Sequence, residues 1–255
     1  MKKLLVFLAL FWYGFSQAQD LSAAELNEEI MELDEMIKTD PSAFNFHLRG
    51  QRKYKLGEFK SALADYDLAA LRDPDDFGIF YSRGMVKDKL GDFKGAVADY
   101  QKCIALDNRS AKAHFNCGYS MSNCGDKAGA IEAYTQCLDR NPDHFAALMN
   151  RGTLLQENGK FNEAVSDFDA AIALKPSLAD AYQNRGICKA MLGQKEALAD
   201  FDKVVSLDPQ NPEAYYNRAM YRINHKVSGD FCADLKIALR MGFGRAKAIV
   251  AEKCK

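Results

Sequence analysis

The sequence has no Cys-x-x-Cys, no His-Glu-x-x-His and no glycine-bounded serine elbow. Thioredoxin-type, zinc-ribbon, zinc-protease and serine-hydrolase chemistries therefore have nothing to build on. Only four histidines occur, His47, His114, His144 and His225, and none has a second ligand at i+3 or i+4 with a carboxylate in register. Gly242-x-Gly244 follows no strand, so a dinucleotide fingerprint fails as well. No enzyme, cofactor or resident metal is expected. Excess charge is also lacking: the formal net charge is -1, and without residues 1–18 it is about -3. No basic stripe emerges, which argues against nucleic acid as a partner. Proline is scarce (6 residues), while 48% of the chain is apolar, enough to bury a continuous core.

Long apolar runs are missing beyond residue 15. The one near the start, Leu4 to Phe15, is too short to span a bilayer comfortably. It follows Lys2-Lys3 and precedes Ser16-Gln17-Ala18, the layout of a cleaved leader. Residues 1–18 therefore read as a signal peptide cut before Gln19, with no cysteine there for a lipid anchor. The expected protein is exported, most simply to the periplasm of a Gram-negative bacterium and otherwise secreted. No integral membrane segment is expected after cleavage.

What the sequence does have is a period. Gly57, Gly91, Gly125, Gly159 and Gly193 are spaced by 34, and Gly50, Gly84, Gly118, Gly152 and Gly186 precede them by seven. An alanine follows each turn (Ala62, Ala96, Ala130, Ala164, Ala197), then an aromatic (Tyr66, Tyr100, Tyr134, Phe168, Phe201). Pro74, Pro142, Pro176 and Pro209 close four of the units. In the fifth unit the later marks arrive one residue early, implying a deletion near Gln194. The first glycine allows close helix approach, the second ends helix A, and the aromatic fills the space between A and B.

These residues resemble the tetratricopeptide repeat across nearly all of the chain beyond the leader. The resemblance implies an all-α fold, a right-handed superhelical solenoid of antiparallel helix pairs. Residues 19–42 read as an N-terminal capping helix and 244–255 as a C-terminal one. Between them, 43–243 divide into units at 43–76, 77–110, 111–144, 145–178, 179–211 and 212–243, the sixth with Lys226 in place of the turn glycine. Caps are needed because end units otherwise expose apolar faces.

An ion pair recurs with the units. Arg49, Arg83, Arg151, Arg185 and Arg218 hold the seventh place, and Asp65, Asp99, Asp167, Asp200 and Asp234 the twenty-third. The third unit loses both, to Cys117 and Ala133, which favours pairing inside a unit. Such pairs at the mouth of a helix pair are expected to be partly exposed, worth roughly 0–1 kcal/mol each. Of seven cysteines, Cys232 and Cys254 each lie 11 residues from Phe243, so a helical hairpin would bring them together as a disulfide. Cys117 could meet Cys103 or Cys137, or all three could be plain buried thiols, whereas Cys124 and Cys188 have no obvious partner.

The resemblance turns chosen places of helix A toward a concave groove. The fifth and ninth places there supply Tyr81, Phe115, Met149, Tyr216 and Tyr119, and the sixth supplies Asn116, Asn150, Asn184 and Asn217. An asparagine amide both donates and accepts, so such a row suits an extended peptide backbone or, equally, support of helix packing. Members of this family that grip a terminal carboxylate use a lysine at the fifth place, which is absent here. The expected function is a protein- or peptide-binding adaptor or scaffold holding an extended partner segment. The alternative is a structural subunit of a cell-envelope complex, acting through its convex face or ends.

Overall fold

A glycine sets the turn inside each of the first five helix pairs. Gly57, Gly91, Gly125, Gly159 and Gly193 have φ between +70° and +91°, backbone that glycine enters without a Cβ clash. The computed structural model describes residues 21–254, so the leader read over residues 1–18 lies outside them. The chain forms two compact units, dividing between Leu106 and Asp107. In the first, α1 (Ala23–Thr39) precedes the antiparallel pairs α2 (Ala43–Lys55) with α3 (Phe59–Arg72), and α4 (Phe77–Lys89) with α5 (Phe93–Leu106).

The second unit holds four pairs and a final helix. These are α6 (Ala111–Asn123) with α7 (Lys127–Arg140), and α8 (Phe145–Glu157) with α9 (Phe161–Leu174). They continue as α10 (Ala179–Met191) with α11 (Ala197–Leu207), then α12 (Pro212–His225) with α13 (Phe231–Arg240) and the lone α14 (Ala246–Lys253). No strand occurs among the described residues. The one-residue deletion is absorbed at the start of α11, which has 11 residues where its equivalents α7 and α9 have 14. In the sixth pair Lys226 itself adopts the left-handed conformation (φ 53°, ψ 39°) that glycine supplies elsewhere.

The earlier glycine of each pair is a matter of space. A Cβ on Gly50, Gly84 or Gly152 would meet the ring of Tyr66, Tyr100 or Phe168 at 2.8, 2.9 and 2.9 Å. The sixth pair makes the opposite trade, with Ala219 where the glycine stands and the smaller Leu235 at the aromatic place, both fully buried. Gly152→Ala should therefore destabilise by about 1–3 kcal/mol, the range for overpacking a filled core. Phe168→Leu in the same chain should recover part of that loss, and additive effects in denaturant titration would contradict the account.

The repeated arginines and aspartates form bidentate pairs, as between Arg83 and Asp99 (3.0 and 2.6 Å) and between Arg218 and Asp234 (2.9 and 2.6 Å). Arg49 pairs with Asp65 and Arg185 with Asp200 in the same way, the last despite the deletion. The expectation of partly exposed bridges needs correction: the Asp65, Asp99, Asp200 and Asp234 side chains are only 3–4% exposed. The small residues around them draw the backbones together and exclude water. Each arginine also reaches back to the preceding helix, Arg83 to Asp67 (3.0 Å), Arg185 to Asp169 (2.5 Å) and Arg218 to Asp202 (2.9 Å). Arg49 does the same with Asp34 of α1, and Arg151 with the Thr135 hydroxyl (3.0 Å). One guanidinium thus ties its own pair together and fixes it to the neighbour before it. The carboxylates raise the pKa of Arg49, Arg151 and Arg218 through their hydrogen bonds, so these groups stay charged.

Candidate functional site

In the second compact unit the first helices of successive pairs neighbour one another, as α8 and α10 do, and their shared face carries most of the candidate residues. The fifth-place side chains are half-buried and used for packing. Phe115 lies 5.8 Å from the Tyr134 ring and 4.5 Å from that of His144, and Tyr216 lies 4.9 Å from Phe243. Met149 packs against the clusters around Leu148 and Leu155. Tyr119 is different, at 43% exposed. It lines a cleft of about 330 Å³ between α6 and α8, with Asn150, Thr153 and Leu154 opposite and the Tyr134 hydroxyl beneath. Lys127 and Glu157, paired at 2.8 Å, also line it. Tyr81 belongs to the other compact unit, where it stacks on Phe77 at 5.8 Å and meets Tyr100 edge-on at 5.9 Å.

The asparagine row is used unevenly. Asn150 donates from Nδ2 to the Tyr134 hydroxyl at 3.3 Å. Burial pushes that hydroxyl's pKa up to about 12, so it remains neutral. Asn217 Nδ2 and the neighbouring pair's Gln183 Oε1 are buried without a hydrogen-bond partner. In the first compact unit the corresponding places hold His47 and Ser82, which meet at 3.1 Å. A buried donor and a buried acceptor left unmade cost roughly 1–3 kcal/mol apiece, and both atoms are shut off from a ligand on the surface. Gln183 was absent from the sequence candidates because only the asparagines repeat. The second carboxylates Asp67, Asp169 and Asp202 were missed too, although each stands 16 residues before an arginine.

The cysteines resolve in part. Cys232 and Cys254 form a disulfide with Cα atoms 5.5 Å apart, joining α13 to the end of α14. Cys137 is a free, buried thiol, so it makes no bridge to Cys117. Burial pushes Cys137 and Cys188 up to about 11, whereas Cys124 is exposed. A thiol reagent at neutral pH should therefore modify Cys124 in the native protein and reach Cys137 and Cys188 only on unfolding. Peptide mass mapping reads this directly; rapid native labelling of Cys188 would contradict its burial.

Among the described residues no group of three or more His, Cys, Asp or Glu could hold a metal ion, and no helix is long and apolar enough to cross a membrane. Family models for the tetratricopeptide repeat match residues 88–125 and 125–179. No curated protein matches the sequence. Among solved structures, the C-terminal part of a TPR repeat-containing protein from Cytophaga hutchinsonii is similar at a TM-score of 0.73 and 18% identity, over 88% of this chain and 93% of that one. YrrB, described as a TPR protein with an unusual peptide-binding site, is similar at 0.66 and 22% identity, over 72% of this chain and 96% of that one. MamA is similar at 0.63 and 23% identity, over 67% of this chain and 94% of that one. At such identities the likeness bears on the fold. Since both family models fall on the 34-residue period and the helix pairs follow it, this chain is a tetratricopeptide-repeat protein.

Proposed function

We propose that the protein is a binding adaptor that holds an extended partner segment along the first-helix face of residues 107–254, outside the cytoplasm. The observation that carries this reading is the open cleft beside Tyr119 on that face. Exposed Tyr119 beside Asn150 offers an apolar contact with a hydrogen-bonding edge. YrrB's described peptide-binding site makes a peptide ligand reasonable for this fold. Export is supported by the leader-like residues 1–18 and by the Cys232–Cys254 bond, since disulfides persist in oxidising compartments.

The test is affinity capture from a cell-envelope extract, with bound proteins identified by mass spectrometry. A partner held by the wild-type chain should be lost from Tyr119→Ala/Asn150→Ala and weakened about tenfold by Tyr119→Ala alone, as for about 1.4 kcal/mol of lost contact. Equal retention by these variants would move binding to another surface.

A further inference from the structure

Two surfaces at opposite ends of the sequence are complementary in charge, and each has an apolar centre. Helix α1 carries six carboxylates and one lysine. Leu26 and Leu33 face inward, and the outer side presents Met31, 63% exposed, among the exposed carboxylates Glu28, Glu32 and Glu35. Glu28 and Glu32 have no ion-pair partner among the described residues; Glu35 meets only Lys38 of its own helix. On α13, Ala233, Ile237 and Leu239 line a shallow depression of about 490 Å³ bordered by Lys236 and Arg240. Neither cation has an ion-pair partner among the described residues. Residues 236–254 add Arg245, Lys247 and Lys253 against the single carboxylate Glu252. Each surface lies wholly within one compact unit.

We infer that the chain associates head to tail, the Met31 knob of one copy seating in the Ile237–Leu239 depression of a second, with Glu28 and Glu32 meeting Lys236 and Arg240. A knob ringed by one sign of charge and a hollow ringed by the other is how a docking site gains both affinity and register. A second copy is the occupant because it alone is certain to bring the acidic face wherever the basic one exists. The two faces differ, so the contact is heterologous and leaves a free face at each end of a dimer. This inference is independent of the peptide-binding reading, which uses the first-helix face.

The test is sedimentation velocity across protein and salt concentration. Wild-type association should rise with protein concentration and weaken as salt screens the charges. Glu28→Lys/Glu32→Lys and Lys236→Glu/Arg240→Glu should each weaken self-association at least tenfold. All four positions are solvent-facing, so the fold should be unaffected by circular dichroism. An equimolar mixture of the two variants should associate again, as should the chain with all four reversals, because opposite charges then meet once more. A wild-type chain monomeric to its solubility limit, reversals without effect, or a mixture that stays monomeric would each overturn the inference.

Discussion

Arg151→Ala should lower the unfolding free energy by about 3 kcal/mol, near the low end for stranding a buried charge. Asp167 is 5% exposed at its side chain, and Arg151 supplies its only ion pair among the described residues, through bonds of 2.9 and 2.6 Å. The other buried aspartates have a second cation. Asp99 keeps Lys87 at 2.7 Å and Asp200 keeps Lys189 at 3.0 Å, where the fourth repeat has Leu155. Arg83→Ala and Arg185→Ala should therefore cost about half as much, because a charged partner remains. Urea denaturation at neutral pH measures all three. Asp167→Ala/Arg151→Ala should cost less than the sum of the single changes, by about 1–3 kcal/mol of coupling. The third repeat already carries the apolar version, Cys117 and Ala133 at 1% and 8% exposure, without disturbing its helix pair. Zero coupling would show that the bidentate geometry contributes nothing to stability.

Cys254→Ser should release the last helix while leaving the rest folded. Only Ala246 of α14 is fully buried, against Ala219, Leu235 and Ala238, and an eight-residue helix does not persist alone. The disulfide spans 22 residues, and closing such a loop is worth about 3 kcal/mol in the chain-entropy model. Amide-exchange protection across 246–253 should fall by about a hundredfold, the equivalent of that clamp. Protection across α7 to α11 should hardly change, because each of those helices packs against a neighbour on both sides. A dithiol reductant should reproduce the effect in the wild-type chain. Unchanged protection of 246–253 would mean that apolar contact alone holds α14 in place.

The expected losses differ because the fold is stabilised repeat by repeat. A stacked array of helix pairs has nearest-neighbour interfaces, so damage at a middle pair uncouples its neighbours while damage at the end stays local. Arg151 ties α8 to α9 and also to Thr135 of α7, whereas the disulfide fixes one terminal helix.

The sequence by itself determined the pair geometry. A turn at every thirty-fourth residue needs a left-handed backbone, and a helix crossing beside a buried ring needs a residue without a side chain. Gly57 and Gly50, with their counterparts, state both requirements in the one-letter code. Covariation among the copies likewise exposed the Arg–Asp pairs, because Cys117 and Ala133 replace both partners at once. Only the tertiary structure decided how deeply those pairs lie, since exclusion of water depends on neighbouring helices that no single repeat contains. It also decided that Phe115 and Tyr216 spend their rings on packing while Tyr119 stays open. Those outcomes depend on which side chains meet across separate helices, and local periodicity carries no record of that.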